Sequence, residues 1–251
     1  MGPIEIAWHG LMITVGILVG TAFALRYASE RGLSRDRIFE LVLVVVVAGI
    51  IGARILYLTE LDVGALARPE DWLSTRGFSF YGALILAPLA AGAYLRLTRS
   101  GMAYLDALAV GFGMAMAVGR IGDVISGEHY GPESTLPWAI QYSDPDAEVP
   151  SVDAAYHPGG LYESLVGLVI FAVIWPLRKH FRTPGVLFAT VIGLYSLGRF
   201  LIFFVRSDSD QLALGLSNSQ WISLVLIAAA VAAVAVLRKR ASMPPAAPEP
   251  A

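Results

Sequence analysis

The sequence predicts an all-α, polytopic integral membrane protein with about seven transmembrane helices, its N-terminus outside and its C-terminus cytoplasmic. Three observations carry that expectation. Of 251 residues, 56% are hydrophobic and 15% charged, against roughly 25% charged in soluble domains; mean hydropathy is +0.65. The apolar residues fall in long runs, and a helix needs about 20 of them to cross a bilayer core. The basic residues gather after alternate runs.

In chain order the runs cover roughly 4–27, 38–58, 79–96, 103–126, 160–177, 185–205 and 220–237. The first has no basic leader and is long enough to span, so it reads as a helix and not as a cleavable signal. Arg26, Arg31, Arg35 and Arg37 follow the first run, and Arg96 and Arg99 the third. Arg178, Lys179 and Arg182 follow the fifth, and Arg238, Lys239 and Arg240 the seventh, which brings 12 of the 18 Lys and Arg to one side. The positive-inside rule makes that side cytoplasmic. Between the fourth and fifth runs lie Glu133, Asp144, Asp146, Glu148 and Asp153 but no Lys or Arg, as in an external loop. Residues 1–240 form one transmembrane domain, and 241–251, ending MPPAAPEPA, a disordered cytoplasmic tail. The absence of cysteine excludes disulfides, thiolate metal sites and a cysteine nucleophile supplied by the chain.

Ionisable residues inside spans mark function by default. Arg54 lies 16 residues after Ile38 and Arg120 17 after Ala103, which at about 1.5 Å per residue puts each roughly 24–26 Å from the inner face. Arg199 is two-thirds along the sixth run and Arg206 at its outer end. His9, Tyr81, Tyr162 and Glu163 begin runs that enter from outside; Asp123, Glu128 and His129 follow Arg120. Polar groups from several helices thus share one depth. Arg68 and Arg76 are expected to snorkel, and Glu40 and Asp106, near the inner face, to be interfacial. Arg120 and Asp123 share a helix face at i,i+3, as do Tyr195 and Arg199 at i,i+4. Gly16 and Gly20, and the series Gly111, Ala115 and Gly119, read as surfaces for close helix packing. Guanidinium groups near the outer boundary suit phosphate, and the phosphates at that depth belong to phospholipids. A carboxylate, Asp123 or Glu128, and the histidines His9 and His129 lie near enough to act as base or orienter. Binding, transport and group transfer all stand open on the residues alone.

The stretch GRIGDVISGEHYG at 119–131 resembles the signature of the prolipoprotein diacylglyceryl transferases, Gly-Arg-x-Gly-Asn-Phe-x-Asn-x-Glu-x-x-Gly, through Gly119, Arg120, Gly122, Glu128 and Gly131. WHGLM at 8–12, GARILY at 52–57, HPGGLYES at 157–164 and GRFLIFFVR at 198–206 are similar to further blocks of that family, in the same order. The resemblance implies seven spans in a bacterial plasma (inner) membrane. It also implies transfer of a diacylglyceryl group from phosphatidylglycerol to the lipobox cysteine thiol of a prolipoprotein signal peptide, with release of glycerol phosphate. On it, His9, Tyr81, Asp123 and Glu128 are the catalytic candidates, and Arg120, Arg199, Arg206 and Arg54 the lipid-phosphate ligands. Gly131, His157, Tyr162 and Glu163 complete the site. No metal, cofactor or nucleic-acid partner is expected. The sequence departs from the family pattern at defined places. His9 stands for a tyrosine, Tyr81 for a histidine, Asp123 and Ser126 for asparagines, Gly160 for a glutamine and Phe203 for a glutamate. Positions 9 and 81 thereby exchange an imidazole and a phenol. The alternative reading is a divergent relative that binds or transports phospholipid, or transfers to another acceptor.

Overall fold

Each apolar run is helical, because a backbone in hydrocarbon must satisfy its own amides. The computed structural model describes residues 8–72, 77, 79–142, 147, 149–206 and 211–242. Arg76, Asp144, Asp146, Glu148 and the tail beyond Ser242 lie outside the described residues. The chain runs through α1 (Trp8–Glu30), α2 (Arg35–Leu61), a 3₁₀ turn (Val63–Ala67), α3 (Pro69–Trp72), α4 (Phe80–Leu97), α5 (Ala103–Gly119) and α6 (Ile121–Ser126). A short antiparallel pair, β1 (Ile140–Gln141) and β2 (Ala155–Tyr156), leads to α7 (Gly159–Leu177) and a 3₁₀ turn (Arg178–His180). Then come α8 (Val186–Ile202), a second hairpin, β3 (Gln211–Ala213) and β4 (Leu216–Ser217), and α9 (Asn218–Ser242).

Among the described residues five helical segments are long and apolar enough to cross a membrane: Trp8–Glu30, Arg35–Glu60, Ala103–Ser126, Gly159–His180 and Asn218–Ser242. Tyr81–Leu97 and Val186–Ile202 are shorter apolar helices. Large apolar side chains stay exposed along them, among them Leu18, Leu89, Val169 and Val225. In water such a surface would be costly; against lipid tails it is the expected exterior.

The chain divides into two compact units, one of Met1–Tyr27 with Leu105–Ala251, the other Ala28–Tyr104. In the first, α1 lies against α5 at the small-residue faces read from the sequence. A Cβ at Gly20 would come within 2.7 Å of the Ala115 Cβ, and one at Gly111 would collide with the Gly20 carbonyl. The backbones meet there because no side chain stands between them. In the second unit α2 packs on α4, with Gly52 and Gly82 in the same relation.

Asp106 corrects the interfacial expectation. It is 3% exposed and accepts hydrogen bonds from the backbone N–H of Gly185 and Phe188, both at 2.8 Å. These amides open α8, whose flanking Gly185 has no side chain to cap them, so a carboxylate from α5 does it. Glu40 is exposed and accepts from the Tyr94 hydroxyl at 2.6 Å. Arg68 pairs with Asp71 at 2.6 Å and Asp62 at 3.3 Å.

Candidate functional site

The site is assembled in the first unit where α5 ends. The helix stops at Gly119 and resumes after Arg120 as α6, a single turn and a half closed by Gly127 in the left-handed conformation (φ 72°). His129 follows, also left-handed (φ 58°), an unusual state for a residue with a side chain. This tight turn meets the start of α7. A Cβ at Gly159 would collide with the His129 carbonyl, and one at Gly160 would lie 2.9 Å from the Asp123 Cβ.

At the centre is Glu163, the fifth residue of α7 and wholly buried. Its Oε1 accepts from Arg206 Nη1 at 2.7 Å and from Arg199 Nη1 at 3.5 Å; its Oε2 lies 2.7 Å from Arg120 Nε in an ion pair without hydrogen-bond alignment. Arg199 and Arg206 extend from the end of α8, and both guanidinium groups lie over the Phe203 ring, 4.9 and 4.5 Å from its centroid. Arg206 Nη2 donates to His129 Nδ1 at 2.9 Å. That bond makes Nδ1 the acceptor and leaves the ring hydrogen on Nε2, which lies 3.7 Å from Asp123 Oδ2.

Asp123, 1% exposed, links this group to a second. Its Oδ2 takes Arg120 Nη1 at 2.5 Å and its Oδ1 lies 2.6 Å from His9 Nδ1. The same His9 nitrogen is 3.1 Å from Glu128 Oε2, while Glu128 Oε1 accepts from Ser126 Oγ at 3.0 Å. The His9 hydrogen bond holds the Glu128 carboxyl below the usual glutamate range. Burial, and beside it the Asp123 charge, pushes the Tyr142 phenol up.

Eight of the sequence-predicted residues therefore form one connected cluster: His9, Arg120, Asp123, Glu128, His129, Glu163, Arg199 and Arg206. His157 and Tyr162 pair with each other at 2.7 Å, and Trp138 Nε1 donates to the same phenol at 2.9 Å. Gly131 donates its N–H to the His157 carbonyl at 2.8 Å. Arg54 and Tyr81 belong to the second unit. Arg54, 3% exposed, donates to the carbonyls of Gly77 (2.7 Å) and Asp71, and its guanidinium lies over the Tyr57 ring. Sequence reasoning did not foresee the Arg206–His129 bond or the Ser126–Glu128 bond. The spacing of Ser126 and Glu128 was the only available signal for the latter.

A helical architecture with segments long and apolar enough to cross a membrane, carrying three arginines and three carboxylates in one network, is that of a multi-pass membrane protein. The chain belongs to the prolipoprotein diacylglyceryl transferase family, whose model matches residues 1–236. It is similar to proteins named phosphatidylglycerol–prolipoprotein diacylglyceryl transferase in several bacteria. With that of Corynebacterium diphtheriae it is 33% identical over 259 residues, covering 95% of this chain and 91% of the relative. With that of Clostridioides difficile it is 32% identical over 241 residues, covering 94% of this chain and 93% of the relative. With that of Frankia casuarinae it is 32% identical over 247 residues, covering 95% of this chain and 60% of that longer protein.

Proposed function

We propose that the protein transfers a diacylglyceryl group from phosphatidylglycerol to the lipobox cysteine thiol of a prolipoprotein. The observation that carries this is the triple-arginine cluster on Glu163 joined through Asp123 to His9 and Glu128. A phosphodiester needs cationic donors where negative charge grows as the carbon–oxygen bond breaks. Arg120, Arg199 and Arg206 are held in place for that before substrate arrives. Glu163 sets their positions, so little reorganisation is left for the reaction. The thiol has to lose its proton, and the His9, Asp123 and Glu128 group serves that end of the reaction. Sulfur then bonds to the glyceryl carbon as the carbon–oxygen bond breaks, and glycerol phosphate leaves with the electron pair. A chain without cysteine suits this chemistry, since the nucleophile is the acceptor's own. Arg54, Tyr81, Gly131, His157 and Tyr162 are assigned to the reaction from the motif blocks alone.

On the same reading the chain crosses a bacterial plasma membrane seven times, N-terminus outside, with the cluster at the outer face. The alternation of basic segments supports that orientation. Cysteines introduced at Val152 and Ser242 test it: the first should react with an impermeant reagent applied outside, the second should not, and the reverse pattern inverts the topology. The reaction itself is tested with purified protein, phosphatidylglycerol vesicles and a lipobox peptide, following thioether formation by mass spectrometry. Arg120→Ala and Arg199→Ala should lose transfer, with Arg→Lys recovering part, because an ammonium lacks the planar fork. Full transfer by both Ala variants refutes the phosphate assignment.

A further inference from the structure

Two departures from the family pattern are complementary. Aspartate stands for asparagine at 123 and phenylalanine for glutamate at 203, so one carboxylate is gained and one lost. The number is unchanged, but a negative charge has moved from beside Arg199 and Arg206 to beside Arg120 and His9. The Phe203 ring fills the space of that glutamate's carboxyl. It is 7% exposed, with its centroid 4.9 Å from the Arg199 guanidinium and 4.5 Å from that of Arg206. A ring face attracts a cation, but it offers no directed acceptor for an N–H as a carboxylate does.

His129 lies between the two places, at a position that the family pattern leaves unspecified. Its Nδ1 accepts from Arg206 Nη2 at 2.9 Å, and its Nε2 lies 3.7 Å from Asp123 Oδ2. The longer separation is beyond a hydrogen bond. It still sets the carboxylate charge opposite the ring N–H, which pushes electron density toward Nδ1 and strengthens that nitrogen as an acceptor. Glu163 Oε1 holds Nη1 of the same guanidinium at 2.7 Å. A guanidinium is planar, so bonds at both terminal nitrogens fix how the whole fork faces. The left-handed backbone at His129 (φ 58°) brings the ring from the end of α6 to the arginine that follows α8. Its carbonyl packs against Gly159, where a Cβ would collide. Such a conformation persists only where the surroundings impose it.

We propose that His129 is a positioning residue for Arg206: it supplies the acceptor that the family pattern places at 203, and it passes the charge of Asp123 on to a guanidinium that meets the lipid phosphate. This rests on the reading of Arg206 as a phosphate ligand. The imidazole acts through Arg206 and not on the reacting atoms.

The test uses full-length protein in detergent with a short-chain phosphatidylglycerol. Lipid affinity is read by isothermal titration, and transfer to a lipobox peptide by mass spectrometry. His129→Gly removes the ring and keeps the left-handed backbone without strain. Lipid affinity and kcat/KM for the lipid should fall roughly tenfold or more, the size of one hydrogen bond to a charged group, while KM for the peptide stays. His129→Asn keeps an acceptor near the Nδ1 position and suits the left-handed backbone, so it should avoid most of that loss. Phe203→Glu added to His129→Gly should restore the affinity, and Phe203→Leu, which supplies no acceptor, should not. Wild-type lipid affinity in His129→Gly, or equal recovery with Glu and Leu at 203, overturns the proposal. If His129→Gly folds poorly, the comparison moves to a Phe203→Glu background, where removing the ring should cost less than about threefold in affinity; a larger loss there overturns it as well. Lipid affinities in the expected order without thioether formation under any condition support the role of His129 and instead overturn the transferase reading.

Discussion

Replacing Glu163 with Gln tests the electrostatic centre of the site. The side chain is 0% exposed and faces three guanidinium groups at 2.7, 2.7 and 3.5 Å. Gln keeps the volume and removes the charge, so Arg120 retains Asp123, Arg206 retains His129, and three largely buried cations repel one another. Removing one partner of a buried ion pair costs about 3–5 kcal/mol. At about 2–4 °C per kcal/mol for chains of this size, the apparent melting temperature should fall by roughly 6–20 °C. Circular dichroism in detergent measures it, with Glu163→Asp as a charge-keeping control that should lose less. Phosphatidylglycerol supplies an anion where the carboxylate was, so it should raise the melting point of the Gln variant more than that of wild type. An unchanged melting temperature, or equal response to the lipid, would refute the view that Glu163 balances and positions these arginines.

Asp106→Ala leaves the buried N–H groups of Gly185 and Phe188 without their acceptor, and at about 1–3 kcal/mol each the variant should lose roughly 2–6 kcal/mol; wild-type thermal stability in detergent would show that water replaces the cap. Gly111→Val forces α1 from α5 at the Gly20 carbonyl and should reduce folded yield, and a normal yield with normal melting would mean that the close approach is dispensable. Because the folded-state pKa of Glu128 is lowered by His9, its contribution is present above the ordinary glutamate value and lost as pH falls through the lowered one. The stability difference between wild type and His9→Gln should therefore shrink below about pH 4.3, and a difference that grows on acidification contradicts the assignment.

Helix positions were legible because a run of apolar residues has one stable form in lipid, and the packing faces of α1 and α5, though not that they meet each other, because small residues recur one turn apart. Arg120 and Asp123 could be paired from their i,i+3 spacing alone. Partners far apart in sequence could not. Asp123 and His9 are 114 positions apart, and Asp106 and Gly185 79 apart, and no periodicity specifies either bond. Depth along a helix placed Asp106 near an interface, yet the long-range demand of the α8 amides buried it. The break at Arg120 was hidden inside an unbroken apolar run. Only the structure shows how the αL turn at Gly127 directs Glu128 back toward His9.

The departures from the family pattern are not scattered over the site. Arg120, Arg199, Arg206 and Glu163 hold to it, and they form the end of the cluster that suits a phosphate. His9, Asp123 and Ser126 depart from it together and lie at the other end, joined through Glu128. Gly160, a third kind of departure, lies against Asp123, where even a Cβ would come within 2.9 Å of the aspartate's own. Phe203 alone departs on the arginine side, and there it puts a ring under two guanidinium groups, a neutral surface that takes no charge from them. A changed donor lipid would call for changes among the arginines. Apart from Phe203, and Tyr81 in the second unit, the changes gather at the His9 end; on the proposed function that end serves the acceptor thiol, so the departures bear on how the sulfur is engaged more than on how the donor is held.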